Sequence, residues 1–134
     1  MDLVVDANIL FASLIKKGTT ADLLFIDSFH LYAPEFLLEE FVKYKSLLLE
    51  KTERTDEDFE MFLDILKRRI TFIPKEEIEP ILGDAEKISP DPEDSPYFAL
   101  AILISGSIWT NDKRLKNQEK VPVYTTKELL DLIR

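Results

Sequence analysis

Four acidic positions stand where their side-chain oxygens could act together. Asp6 ends the apolar run LVV at residues 3–5, and Asn8 follows two residues later. Glu40 lies in PEFLLEEFVKY, Asp94 in SPDPEDSPYFALA, and Asp112 in IWTNDKRL, two residues after Thr110. Carboxylate, amide and hydroxyl oxygens are the donors that hard divalent cations such as Mg2+ or Mn2+ take. Several carboxylates in one cleft cannot all stay ionised without such a cation. A cation held there would activate a water and clamp a phosphate, so the chemistry in view is metal-assisted hydrolysis. With one histidine, His30, and no cysteine, thiolate sites and disulfide scaffolds are excluded. His30 opens an expected strand and is assigned no role.

Each acid also has an ordinary use. Asp6 or Asn8 can cap the helix that follows. Asp91, Glu93 and Asp94 all precede an apolar helix, whose dipole they complement. On a helix, Glu40 lies four residues from both Phe36 and Tyr44, beside a stripe of Leu37, Phe41, Tyr44 and Leu48. Glu39 lies four from Glu35 and Lys43. Glu39 therefore reads as solvated and Glu40 as turned toward the body of the domain. The choices between Glu39 and Glu40, and between Asp91 and Asp94, stay open at this point.

The elements that must position these residues follow from period and punctuation. LVV reads as a strand buried on both faces, followed by a helix NILFASLIKKG closed by Gly18, with Lys16 and Lys17 in its last turn. TTADLLFIDSF restarts a helix capped by Thr19 or Thr20. HLYA is a second strand. Pro34 is expected as the first residue of a long helix to about Lys51. Thr55 and Asp58 resemble a capping box for TDEDFEMFLDILKRR. ITFIP is a third strand, and the helical stretch EEIEPILGDAEKIS is interrupted by Pro80. Ser95 and Pro96 start a helix, buried all round, that ends at Gly106. SIWT and VPVYT are the last strands and KELLDLIR a closing helix. Strands alternating with helices imply an α/β fold with a parallel sheet covered on both faces. In such sheets ligands bind beyond the carboxyl ends of the strands, where Asp6 and Asp112 fall.

The chain has 134 residues, 46% apolar and 32% charged, which suits one domain over 1–134. The longest apolar block, YFALAILI at 97–104, is far short of the roughly 20 residues of a membrane-spanning helix. No signal peptide is read at the N-terminus, and a cytoplasmic setting is expected. A formal charge of −9 opposes nucleic-acid binding, unless the clustered acids are neutralised by bound metal.

VVDANIL, PEFLLEEF, DPEDSPYFALAILIS and IWTNDKRL together resemble the PIN domain, in the family's order and over nearly the whole chain. Many PIN domains are ribonucleases, including the toxin half of VapBC toxin–antitoxin pairs. The resemblance implies a three-layer α/β/α sandwich with about five parallel strands. It implies a Mg2+- or Mn2+-dependent endoribonuclease with Asp6, Glu40, Asp94 and Asp112 as metal-binding and catalytic acids, Asn8 and Thr110 supporting them. The region from about Thr52 to Ser89 is longer than in small toxins and resembles stand-alone PIN proteins as much as paired ones.

The implied partners are an RNA substrate, an antitoxin if the chain is a paired toxin, and a second copy of the chain. Lys16 and Lys17, Lys43 and Lys45, and Lys113, Arg114 and Lys116 are the basic candidates for RNA. Each cluster is small, so a homodimer or higher homo-oligomer that pools them is expected. The alternative is a non-catalytic PIN-like module that binds RNA or protein. A phosphoacceptor domain fits less well, for lack of an acceptor Asp at a mid-chain strand end.

Overall fold

Leu3, Val4 and Val5 are all fully buried. Successive side chains of a strand point to opposite faces, so this strand must be covered above and below. The computed structural model, which describes residues 1–15 and 18–134, shows how. β1 (Asp2–Val5), β2 (His30–Pro34), β3 (Ile70–Ile73), β4 (Ser107–Trp109) and β5 (Val123–Tyr124) form one five-stranded sheet in the order β3-β2-β1-β4-β5. Every pairing is parallel. β1 is central, and the chain leaves it for β2 on one side and returns to β4 on the other.

The helices are α1 (Ala7–Ile15), α2 (Thr19–Leu23), α3 (Phe36–Lys43), α4 (Lys45–Thr52), α5 (Asp56–Arg69), α6 (Lys75–Ile88), α7 (Ser95–Ile104) and α8 (Thr126–Ile133). α7 lies across β1, β2 and β4, with α6 packed along it; α1 meets α2 and α4, and α2 meets α8. The result is the three-layer α/β/α sandwich expected. Lys16 and Lys17, expected in the last turn of the first helix, lie outside the described residues.

The Thr55–Asp58 capping box is present, with the Asp58 amide donating to Thr55 Oγ1 at 3.1 Å. Elsewhere the boundaries shift. Pro34 ends β2, paired with Ile73 of β3, and α3 starts only at Phe36. Sheet register decides here, since proline's fixed φ suits an extended strand as well as a first helical turn. The long helix expected from Pro34 is divided by Tyr44, at φ −97° and ψ 13°. α2 is a short helix preceded by Gly18, with no side-chain cap from Thr19 or Thr20. α6 runs through Pro80, at the cost of the backbone bond that proline cannot donate.

α7 begins with Ser95 and Pro96 as its first residues and Asp94 before them, so Ser95 is inside the helix and not its cap. Tyr97 to Ala101 are buried, but Ile102 and Leu103 are 39% and 41% exposed, so burial is not all round. Ser105, not Gly106, takes the left-handed turn at the end, with φ 53°. Gly106 answers a different need: a Cβ there would stand 2.7 Å from the Asp2 carbonyl oxygen.

Candidate functional site

β1 and β4 are neighbours whose connections depart in opposite directions, which opens a crevice beyond their carboxyl ends. The first residue past β1 is Asp6, only 6% exposed. Its amide extends the ladder, donating to the Trp109 carbonyl at 3.3 Å. Its Oδ1 accepts the Ile9 amide at 3.0 Å, at the start of α1. Thr110, fully buried just past β4, donates its hydroxyl to Asp6 Oδ2. The same hydroxyl accepts the Asp112 amide at 3.0 Å. One buried hydroxyl thus fixes both strand-end acids.

Asp94 arrives from a third direction, on a 3-10 turn (Pro92–Asp94) that leads into α7. It makes no side-chain cap bond to that helix. Asp91, in contrast, spends Oδ1 on the Glu93 amide at 3.0 Å. Burial pushes the Asp94 carboxyl up to about 6, and the charges of Asp91, Asp112 and Asp6 add to the rise. Burial also raises Asp6, against the bonds from Thr110 and the Ile9 amide, and Asp112 raises it further. Asp6, Asp94 and Asp112 therefore share one electrostatic environment.

Glu40 is half-buried and Glu39 exposed. The Tyr97 hydroxyl is held well above its ordinary range by burial, then by Asp6, Asp94 and Glu40. Glu40 thus borders the same crevice. Glu39 lines a groove of about 380 Å³ with Pro34, Ile73, Leu82 and Pro96. Asn8 has an exposed side chain, and only its amide bears on Asp6. Asn111 accepts the Thr126 amide at 2.8 Å, so its oxygen serves the start of α8.

Arg114 was expected to face RNA, yet its guanidinium grips Asp112. Nη2 donates to Oδ2 at 2.7 Å, and Nε to Oδ1 at 3.0 Å. This pairing holds the Asp112 carboxyl below its ordinary range. Lys45 is likewise paired, with Asp56 and Glu60, and Lys116 with Glu128. Lys43 and Lys113 are exposed.

Among the described residues, no three acidic or histidine side chains converge closely enough to hold one ion. The donor set nevertheless suits a hard cation in atom type and charge. Two of its carboxyls are raised by burial and mutual repulsion, and Ser95 Oγ, beside Asp94, is buried with no hydrogen-bond partner. Added positive charge and a further ligand are what those two observations lack. The family model described as "PIN domain" matches residues 4–130. No curated protein matches the chain.

Proposed function

The chain belongs to the PIN domain family, whose members are usually nucleases that use divalent metal ions, and on that premise we propose that it is a metal-dependent ribonuclease. The observation that carries this reading is the placement of Asp6 and Asp112 at adjacent strand ends, tied together by the Thr110 hydroxyl, with Asp94 near enough to feel both charges. Acids arranged to repel one another are costly, and such perturbed groups cluster where chemistry is done.

Asp6, Asp94 and Asp112 would supply the ligands, with Glu40 at the margin, after drawing closer together than they stand in this structure; Mg2+ or Mn2+ suits their oxygens. A bound ion of this kind supplies an activated water and charge stabilisation at phosphorus. The chain's own contribution is placement. Thr110 orients Asp6 and Asp112, the Ile9 amide holds the other Asp6 oxygen, and the burial of Asp6 keeps water from relaxing the repulsion. Lys113 and Arg114, beside Asp112 in the chain, are the nearby cations for RNA phosphates, and a homodimer would pool them with those of its second copy. Membership of a toxin–antitoxin pair, with an antitoxin as partner, is a narrower form of the same proposal.

A second reading, a non-catalytic module that binds RNA or protein, draws on the capture of Asp112 by Arg114. Cleavage of a single-stranded RNA with Mn2+ and with a chelator separates the two. The nuclease reading expects cleavage that the chelator stops. It expects Asp6→Asn and Asp112→Asn each to lose roughly 1,000-fold or more with an unchanged circular dichroism spectrum. Undiminished cleavage by either folded variant would overturn it.

A further inference from the structure

Arg114 stands out because its charge is spent on one of the acids of the site, Asp112. It follows Asp112 by two residues on a tight 3-10 turn (Lys113–Lys116). Asp112 Oδ1 accepts both the Arg114 amide and its Nε, each at 3.0 Å, while Oδ2 takes Nε at 3.2 Å and Nη2 at 2.7 Å. Both carboxylate oxygens are thereby occupied by one fork. The guanidinium also feels Asp91 and Asp94, and it works against the rise of the Asp94 carboxyl. It is therefore a cation that Asp112, Asp91 and Asp94 share. It is also 75% exposed at the side chain, whereas Asp112 is 23% exposed. The arginine can leave into water; the acid stays.

We propose that Arg114 is an internal counter-cation that holds Asp112 in the metal-free protein and must be displaced before Asp112 joins a metal site, so that it sets the metal affinity of the crevice. The inference rests on the metal-site reading above. A carboxylate oxygen bonded to a guanidinium has fewer lone pairs for an ion, and a fixed positive charge beside the site repels one. The two cations compete for Asp112. The displaced guanidinium remains tethered at the rim, where a phosphodiester bound to the same site would take it up.

The test is Mn2+ binding by the full chain, followed by calorimetry or by the loss of the free-ion electron paramagnetic resonance signal, with no RNA present. Arg114→Gln is expected to bind Mn2+ roughly fivefold more tightly than the natural chain, the scale of one exposed ion pair. Lys113→Gln removes the same charge one residue away without touching Asp112, and is expected to change the affinity by less than about twofold. With saturating Mn2+, Arg114→Gln is expected to raise the KM for RNA more than it lowers kcat. Equal affinity in Arg114→Gln and the natural chain would overturn the proposal. So would equal tightening by Lys113→Gln, which would mark a general charge effect. Absence of Mn2+ binding in the natural chain and in Arg114→Gln would instead bring down the metal-site reading, and this inference with it.

Discussion

Thr110 donates its hydroxyl to Asp6 Oδ2 across the boundary between β4 and β1. It does so while accepting the Asp112 amide at 3.0 Å. That bond is the main influence pulling the Asp6 carboxyl back down against its burial. Thr110→Val keeps the shape and removes the hydroxyl. Asp6 then rises further, and the acidic limb of the RNA-cleavage pH profile moves to higher pH. The Asp6 oxygen and the Asp112 amide each lose a partner, at a cost of about 1–3 kcal/mol. Thr110→Ser restores both properties. A variant with an unmoved pH profile and unchanged melting would show that the hydroxyl does not tune Asp6.

Asp94 makes the opposite kind of prediction, because an acid raised in the folded state weakens the fold. Below the ordinary Asp value of 3.8 the carboxyl is protonated in both states and costs nothing. Between 3.8 and about 6 the unfolded chain ionises first, so stability falls as pH rises, and above that range the full penalty persists. Asp94→Asn removes the penalty. We expect the metal-free variant to melt about 2–4 °C higher than the natural chain at pH 7.5, allowing for solvent screening of a half-exposed group. Near pH 4 the difference should vanish. Melting curves at the two pH values check this, and a gain that persisted undiminished at pH 4 would assign it to packing instead.

How much of this was legible in the sequence depends on which interactions are local. The strand runs LVV, HLYA, ITFIP and SIWT each hold a strand of the sheet, because β-branched and aromatic runs between helical segments have few other uses. The parallel order then puts Asp6 and Asp112 at neighbouring strand ends. The Thr55 box was readable because both partners lie within one turn. Pro34 was not, because its place is decided by Ile73, far away in sequence. Nor was the bend at Tyr44, which no glycine or proline marks in the sequence. The grip of Arg114 on Asp112 was missed for a subtler reason. KRLK reads as a solvated basic run, and only the tight turn folds its second member back over the acid two residues earlier.

Glu40 and Glu39 adjoin in sequence and differ in surroundings, which makes them an internal control. Glu40 contributes to the field on Tyr97, together with Asp6 and Asp94. Glu39 is exposed and lines the groove at Pro34 and Pro96. On the nuclease reading, Glu40→Gln should lower metal-dependent RNA cleavage by at least about tenfold, through weaker metal binding. Glu39→Gln should stay within about twofold of the natural chain. Cleavage rates taken across a Mn2+ titration separate affinity from turnover. The reverse ranking would move the margin of the site from one face of α3 to the other.

Arg69, the last residue of α5, supports the fold at a distance that no local pattern reveals. Its Nη2 donates to the Phe29 carbonyl at 2.9 Å, and the guanidinium also reaches the carbonyls of Leu24 and Ile26. These three oxygens belong to the irregular chain between α2 and β2, where the Ile26 oxygen also accepts the Phe29 amide at 3.0 Å and Arg69 supplies donors to all three. One planar fork with several donors fits the task, whereas a lysine ammonium on a flexible stem fits it less well. Arg69→Met keeps the apolar stem and leaves the carbonyls to whatever water can reach them. We expect a loss of about 2 kcal/mol, seen as a lower urea midpoint with an unchanged slope. Arg69→Lys should recover only part of that loss. A midpoint for Arg69→Met that implied a change below about 0.5 kcal/mol, the ordinary range for a surface substitution, would show that the segment from Leu24 to Phe29 is held by the burial of Leu24 and Phe29 alone.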